Sequence, residues 1–307
     1  MVVTITRAVR EGTIPFKGYE TWYRIVGDGE EPGKLPLLLL HGGPGAAHDY
    51  LESLDAMADT GRRVIYYDQL GCGRSAISES KPDMWTVGLY VDEVDAVRNA
   101  LGLDHIHLLG QSWGGMLAME YALTQPAGLE SMTIASSPAS MVQWVQEANR
   151  LRQDLPPDVQ ETLLKYEATG SYDRQEYKEA VQIFNDRHVC RVTPNPEYVM
   201  RTWAAIERSP EVYNTMNGPN EFHVIGTLKS WSVIPRLGEI TVPTLVTSGA
   251  YDEATPLIAR TVHDGIPGSR WELFAESSHM PHVEEEARYM EVLENFLSEV
   301  EAGLSQR

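Results

Sequence analysis

Residues 105–120 read HIHLLGQSWGGMLAME and contain, at 110–114, the pattern Gly-x-Ser-x-Gly centred on Ser112. The apolar segment 106–109 predicts a short buried strand, and residues 115–122 predict a helix. A serine on the sharp turn between such a strand and helix has its hydroxyl exposed at the end of a sheet. Gly110 and Gly114 fit this turn, because a Cβ at either position would collide with the neighbouring backbone. The alternative is an ordinary strand–helix connection, so the interpretation depends on partners elsewhere in the chain.

The bulk properties exclude several classes of function. A length of 307 residues is enough for one large domain, or for a domain with an insertion. The net charge of -19 argues against nucleic-acid binding, which needs a basic surface. Cys72 and Cys190 are too few for a disulfide framework or a metal site. No apolar run is long enough for a membrane span and no secretory signal is evident, so a cytoplasmic location is the expectation.

The order of elements predicts the fold class. Strands are expected at residues 19–26, 35–40, 64–67, 106–109, 132–135, 243–248 and 270–274. Between them, helical periodicity begins at Thr86 and recurs at 115–122, at 257–263 and from 284 to 300. Alternation of strands and helices is typical of an α/β fold whose mostly parallel sheet has helices on both faces. No internal repeat is present.

The segment from about 140 to 235 contains no convincing strand and predicts several amphipathic helices broken by prolines and Gly170. We therefore expect three parts: 1–138 and 238–307 form the two pieces of an α/β core, and 139–237 form a helical cap. A cap inserted where the strands end would cover the serine, and substrate selection is expected there.

A second functional loop follows the apolar run 35–40, where His41-Gly-Gly-Pro-Gly45 stands at the end of a strand. A plain turn is the alternative. A strand that ends in His-Gly-Gly is similar to the lipase and esterase motif that supplies one oxyanion-hole N–H. We expect the two donors to be the backbone amides of Gly43 and Trp113, and His41 to hold this loop in shape.

A serine nucleophile needs a base, and the base needs an orienting carboxylate. In the chain order serine, acid, histidine, the predicted partners are Asp252 and His279, each on a loop that follows a strand. His282 competes with His279, and Glu253 competes with Asp252. Other histidines (His105, His107, His188, His223 and His263) are expected to be structural or lack a matching context. A site used only for binding is a further alternative.

Six segments together resemble the proline iminopeptidase family of α/β-hydrolases over essentially the whole chain. The segments are His41–Gly45, Tyr67–Ser75, Gly110–Gly115, Gly218–Phe222, Tyr251–Pro256 and Ser278–His279. The resemblance is closest to the smaller branch, which includes the tricorn-interacting aminopeptidase and amidases of L-amino acids and L-prolinamide. It implies a helical cap and the triad Ser112, Asp252 and His279.

The same resemblance implies that Glu221 and Glu253 bind the free α-amino group of the substrate. Two carboxylates in a closed pocket would give a protonated amine charge-assisted hydrogen bonds, which an amide nitrogen could not replace. From the residues alone, Glu221 could equally be a solvated surface residue and Glu253 an ordinary loop carboxylate. Ala46-Ala47-His48 departs from the extra glycine expected in larger bacterial iminopeptidases, so a strict preference for proline does not follow.

The predicted function is a serine hydrolase that removes an N-terminal proline or small apolar residue from a short peptide or amide, through an acyl-enzyme and without metal or cofactor. The expected partner is therefore a small substrate with a free amino terminus. The alternatives are an amidase of amino-acid or proline amides, a general esterase, which would not need Glu221 and Glu253, and a hydrolase-fold receptor with little turnover.

Overall fold

The computed structural model describes residues 7–306, and these contain a single eight-stranded sheet. The strands are β1 (Val9–Phe16), β2 (Tyr19–Val26), β3 (Leu37–Leu40), β4 (Val64–Tyr67), β5 (Ile106–Gln111), β6 (Leu129–Ala135), β7 (Thr244–Gly249) and β8 (Arg270–Phe274). Their spatial order is β1-β2-β4-β3-β5-β6-β7-β8. β3 to β8 run parallel, whereas β2 pairs antiparallel with both β1 and β4. The predicted α/β class with a mostly parallel sheet is confirmed.

The central strands are apolar throughout because both faces of the sheet are covered. Along β3, Leu38 and Leu40 enter one hydrophobic cluster, and Leu37 and Leu39 enter another on the opposite face. The first cluster includes helices α1 (Val87–Leu101), α2 (Trp113–Ala122) and α8 (Pro256–Gly265). The second includes α10 (Glu286–Leu304) and the 3₁₀ segment His48–Thr60.

Five helices connect β6 to β7 and lie within the segment predicted to form a cap. They are α3 (Met141–Arg152), α4 (Pro157–Glu167), α5 (Gln175–His188), α6 (Glu197–Arg208) and α7 (Glu211–Met216). Two short 3₁₀ segments, Thr227–Ser230 and Ile234–Glu239, lead back to the sheet. The two ends of this helical segment are joined, since Met141 N–H donates to Trp231 O at 3.0 Å and Val233 N–H donates to Ala139 O at 2.9 Å.

Several boundaries differ from the predictions for physical reasons. α2 begins at Trp113 rather than residue 115, because Ser112 itself occupies the N-cap position. The last predicted helix, 284–300, corresponds to α10, which begins at Glu286; a separate short helix, α9 (Pro281–Glu284), precedes it, and Glu285 between them is non-helical. Thr86, predicted as a helix start, is the cap of α1, and its hydroxyl accepts the Leu89 N–H at 3.2 Å.

Among residues 7–306, no helix has both the length and the apolar character that membrane crossing requires.

Candidate active site

Ser112 sits on the turn from β5 to α2 with φ 56° and ψ -122°, a region that residues other than glycine rarely occupy. Its N–H donates to Ala135 O of the neighbouring strand at 2.9 Å, which holds the turn. A Cβ at Gly110 would lie 2.0 Å from Gly114 O, and one at Gly114 would lie 2.0 Å from Leu40 O. The predicted collision at both glycines is therefore present. The turn leaves Ser112 about 8% exposed, beside a cavity.

His279 and Asp252 lie on the loops after β8 and β7, and the structure brings them into contact. Nδ1 of His279 lies 2.7 Å from Oδ1 of Asp252. The Asp252 carboxylate also accepts the backbone N–H of Ala254 at 2.7 Å and that of Gly249 at 3.4 Å. With Nδ1 facing a carboxylate, Nε2 of the imidazole is the nitrogen left free to take a proton. His279 and Ser112 line the same cavity, so the three residues predicted as a triad converge at one end of the sheet.

The two backbone amides predicted as oxyanion donors are both unused. Within residues 7–306, neither the Gly43 N–H nor the Trp113 N–H donates a hydrogen bond. Trp113 is the first residue of α2, where the helix dipole favours negative charge. Gly43 has φ 113°, and a Cβ there would lie 2.6 Å from Ala46 N, so only glycine fits. Both amides are thus available to a ligand oxygen beside Ser112.

Two further carboxylates, Glu221 and Glu253, line the same cavity. Oε1 of Glu221 accepts the hydroxyl of Tyr213 at 2.5 Å. Oε1 of Glu253 lies 3.7 Å from Nε2 of His279, and its Oε2 is buried with no hydrogen-bond partner among the described residues. Burial raises the pKa of both carboxyls, and for Glu253 repulsion from Glu221 and Asp252 raises it further. A buried carboxylate costs free energy unless a proton or an opposite charge compensates it.

Comparisons with known proteins agree with this geometry. The family model of the α/β-hydrolase fold matches residues 36–286. The proline iminopeptidase of Clostridium botulinum is 45% identical over 293 residues, which is 94% of this chain and 98% of that relative. The proline iminopeptidase of Clostridioides difficile is 44% identical over the same shares. The chain belongs to the proline iminopeptidase family of α/β-hydrolases.

Two solved structures are similar over almost their full length. A proline iminopeptidase from Mycobacterium smegmatis superposes with a TM-score of 0.90 at 45% identity, covering 96% of this chain and 100% of that chain. The structure of VinJ superposes with a TM-score of 0.92 at 49% identity, covering 95% and 99%. As a member of this family, the chain is an enzyme of the aminopeptidase class.

The cavity of this family member has two adjoining chambers that share Gly43, Ser112 and Glu221. The inner chamber is lined by Trp113, Met116, Pro138, Met141, Trp144 and Leu228, all of them buried. The outer chamber is larger and is lined by Ala46, Tyr50, Val189, Trp203, Ile206 and Met280, together with His279 and Glu253. Trp203 and Ile206 are only partly buried, so the outer chamber borders the protein surface on their side.

His282, the competitor of His279, makes no contact with Asp252. Its ring is buried between those of Tyr50 and Tyr289, and its Nε2 lies 3.2 Å from Tyr50 O. Burial lowers the pKa of His282 to about 3, so the ring is neutral. His41 contacts the oxyanion loop through Nδ1, 3.0 Å from Gly42 O.

The structure also brings residues to the site that the sequence did not single out. His188, at the end of α5, accepts the Glu253 N–H at 3.2 Å through its backbone oxygen, and its Nδ1 lies 2.9 Å from Tyr251 O. Tyr213 contacts Glu221 from α7. The His188 contact joins the helical segment to the loop after β7 across 63 residues, which no local motif reveals, whereas Tyr213 and Glu221 lie eight residues apart within the helical segment.

A potential metal-binding group, His48, Asp49 and Glu52, lies within the described residues. Its charges are already compensated. Nδ1 of His48 lies 2.7 Å from Oδ1 of Asp68, and Arg201 donates to Asp49 at 2.8 Å and to Glu52 at 2.5 Å. The group therefore serves to attach α6 to the 3₁₀ segment that contains it.

Proposed function

We propose that this chain removes a single N-terminal residue, proline or a small apolar residue, from short peptides through an acyl-enzyme. The observation that carries this proposal is the pair Glu221 and Glu253 in the same cavity as Ser112. General hydrolysis of esters needs only the nucleophile, its base and the oxyanion donors. Glu253 is fully buried and Glu221 partly buried, and two such neighbouring carboxylates cost free energy unless protons or a bound cation compensate them; the free α-amine of a peptide is such a cation.

In the proposed reaction, Ser112 Oγ attacks the carbonyl of the first residue while Nε2 of His279 takes the hydroxyl proton. The Gly43 and Trp113 amides stabilise the oxyanion of the tetrahedral intermediate. His279 then gives the proton to the leaving nitrogen, the C–N bond breaks, and water hydrolyses the acyl-enzyme by the same route. Asp252 orients the imidazole and stabilises its charged form.

The two chambers support an assignment of the substrate. We place the side chain or ring of the first residue in the inner chamber, the smaller of the two. Its apolar lining suits proline and small apolar side chains. The outer chamber, which borders the protein surface on the side of Trp203 and Ile206, holds the leaving group. Space for a leaving group favours peptides over simple amides, which would leave the outer chamber empty.

In this proposal residues 139–237 act as a cap over the core formed by 1–138 and 238–307. It is supported by Trp144, Tyr213 and Glu221, which come from the helical segment and face the cavity. Nε1 of Trp144 donates to Glu221 O at 2.6 Å, which fixes the backbone that carries this carboxylate. The cap would thus contribute both the apolar wall and one of the two amine-binding groups.

The test is a comparison of kcat/KM for matched prolyl and alanyl substrates with free and with acetylated amines. Acetylation removes the charge and adds bulk between the two carboxylates, so we expect at least about a 10³-fold loss, equivalent to about 4 kcal/mol. Prolinamide measured beside prolyl dipeptides separates an amidase from a peptidase. Equal rates for free and acetylated substrates would leave a general acyl hydrolase in place of an aminopeptidase.

A further inference from the structure

We propose that Gln69 is a positioning residue that holds the two oxyanion-hole amides at a fixed separation. Gln69 belongs to the segment Tyr67–Ser75, one of the six that carry the family resemblance. No residue of this segment has a role in the reaction proposed above. The proposal depends on the proposed function only for its serine hydrolase chemistry, and not for amine recognition.

The side chain of Gln69 is fully buried and links the two loops that carry the donors. Its Nε2 donates to His41 O at 2.9 Å, and its Oε1 accepts Nε1 of Trp113 at 2.8 Å. Its backbone N–H donates to Nε2 of His41 at 2.9 Å. One residue is therefore bonded to the backbone two positions before Gly43 and to the side chain of Trp113.

These hydrogen bonds lie beyond the end of the strand pairing that holds the two loops together. The pairing of β3 with β5 ends at Leu40 opposite Gly110, immediately before the two functional loops diverge. Beyond that point no ladder of backbone hydrogen bonds sets the distance between the Gly43 and Trp113 amides. The amide of Gln69 bridges this gap. An oxyanion hole depends on donors held within a few tenths of an ångström of the developing charge, so such a bridge bears directly on the rate.

Gln69 is itself fixed by a buried carboxylate on each side. Asp68 accepts the backbone N–H of His48 at 2.9 Å and of Arg74 at 2.8 Å. Glu93 accepts the Leu70 N–H with both oxygens, at 3.0 and 3.1 Å. Both carboxylates are completely buried. The segment around Gln69 is therefore rigid, as a support for other catalytic groups must be.

The main variant is Gln69→Leu, which keeps the approximate volume and removes both side-chain bonds. Losing one oxyanion donor costs about 10²–10³ in kcat, so donors that are merely displaced should cost about 10–100-fold. KM should stay within about threefold, because the amine and side-chain contacts of the substrate are unchanged. The substrate is 4-nitrophenyl acetate, which needs no amine recognition, with a prolyl substrate measured in parallel.

A second readout separates positioning from general damage. Phenylboronic acid forms a tetrahedral adduct with a nucleophilic serine and places an oxygen where the oxyanion would lie. Its affinity should fall in Gln69→Leu by about the same factor as kcat, since both depend on the same donors. All rates are expressed per folded molecule, at temperatures well below the unfolding transition of each variant.

The matched control is Ser75→Ala, in the same segment. The Ser75 hydroxyl is buried, donates to Asp68 O at 2.6 Å and accepts the Trp22 N–H at 2.8 Å, so this variant also loses two buried bonds. The Ser75 hydroxyl bonds to neither His41 nor Trp113. The Ser75→Ala variant should therefore retain the wild-type kcat and boronate affinity. Trp113→Phe removes one of the two bonds of Gln69, and the effects of Gln69→Leu and Trp113→Phe should be less than additive.

The proposal is overturned if Gln69→Leu keeps wild-type kcat and boronate affinity, or if Ser75→Ala loses as much as Gln69→Leu. Should Gln69→Leu not fold, Trp113→Phe decides: unchanged kcat and boronate affinity would overturn the proposal. Normal hydrolysis of both substrates by Ser112→Ala would instead overturn the serine mechanism. Failure of the proposed function is thereby distinguished from failure of the Gln69 proposal.

Discussion

Nε2 of His279 lies 3.7 Å from Oε1 of Glu253, while Nδ1 of the same ring lies 2.7 Å from Asp252. Two adjacent carboxylates thus approach opposite sides of one imidazole. Asp252 is the one bonded to the Ala254 and Gly249 amides, whereas Glu253 keeps a buried oxygen without a partner among the described residues. This geometry supports the proposal that Asp252 orients the base and that Glu253 is available to a ligand.

Replacement of the nucleophile should abolish turnover without unfolding the chain. Ser112→Ala is expected to lower kcat by about 10⁶, as for triad serines in general. The strained backbone at φ 56° is set by Gly110 and Gly114 and does not need the hydroxyl. Kinetics and circular dichroism of the same preparation test this. A folded variant with near-normal turnover would remove Ser112 from the mechanism.

The two neighbouring histidines should respond differently to the same substitution. His279→Ala is expected to cost about as much activity as Ser112→Ala, because triad members act as a unit. His282→Ala should cost far less activity, since its ring packs between Tyr50 and Tyr289, and should lower the free energy of unfolding instead. Measurements of kcat and of urea unfolding compare the pair. The reverse pattern would show that the base is His282.

Substitution at Glu221 should affect only substrates that carry an amine. Glu221→Gln keeps the shape and can still accept the Tyr213 hydroxyl, but it loses the charge that attracts the ammonium group. We expect kcat/KM for prolyl substrates to fall by about 10–100-fold, the effect of losing a charged hydrogen bond of about 1.5–3 kcal/mol. Hydrolysis of simple esters should be nearly unchanged. Glu207→Gln, an exposed position in α6, is the charge-matched control. Equal losses on esters and prolyl substrates would argue against amine binding.

Glu253 should make the free enzyme less stable as the pH rises. Its pKa in the folded chain is raised by burial and by Glu221 and Asp252 above the ordinary ~4.3. A raised folded pKa means that the folded state holds the proton more tightly. The corresponding stability is complete below ~4.3 and is lost as the pH climbs through the folded value.

Glu253→Gln should therefore be more stable than wild type at pH 7, by on the order of 1 kcal/mol, while losing activity on prolyl substrates. Urea unfolding across pH 5 to 8 measures the difference, which should grow with pH. Glu291→Gln removes the same charge from an exposed site on α10 and should leave the profile unchanged. A Glu253→Gln variant that is less stable at pH 7 would contradict this interpretation.

A charged cluster at the other end of the sheet should govern stability in acid. Glu301 of α10 accepts hydrogen bonds from Arg62 at 2.8 Å and from the Leu35 N–H at 2.9 Å, and lies 3.2 Å from His107. Burial opposes its charge, but these bonds and the Arg62 charge outweigh burial and lower the pKa of Glu301 to about 2.

A lowered folded pKa contributes stability above the ordinary ~4.3 that is lost as the pH falls toward 2. Glu301→Gln should cost about 1.5–3 kcal/mol at pH 7, because it removes the charge of one of the two carboxylates bonded to Arg62 while Glu294 remains, and it should flatten the acid limb of the stability profile. Glu299→Gln, an exposed residue of the same helix, should change neither. Denaturant unfolding between pH 2.5 and 7 tests both, and an unchanged acid limb in Glu301→Gln would exclude this cluster as the cause.

The features that the sequence predicted correctly were mainly strands and turns that a short segment determines by itself. The strand Val64–Tyr67 agrees with its prediction at both ends because it is uniformly apolar between polar neighbours. The turn at Ser112 was predictable because its glycines follow from sterics. The 3₁₀ segment His48–Thr60 was not predicted, since it is fixed by packing against β4 and α10 rather than by its own periodicity.

The contacts that distinguish chemically similar residues could not be observed in the sequence, because they also depend on packing. Asp252 and Glu253 carry the same chemical group, and only the fold shows which of them meets Nδ1 of His279. The link from Gln69 to Trp113 joins residues 44 positions apart, and that from His188 to Tyr251 joins residues 63 apart. Such pairs depend on how the chain packs and leave no periodic signature.

The small volume of the inner chamber has a consequence for how a whole peptide would be consumed. In the proposed reaction each cycle detaches one residue and makes its neighbour the new amino terminus. Trimming would then advance stepwise and halt when a residue too bulky for the space beside Met116 and Met141 came to the front. Every peptide would end as a remnant whose first residue is too large for that space. Mass spectrometry of exhaustive digests would identify these residues and so show the largest side chain that the chamber accepts.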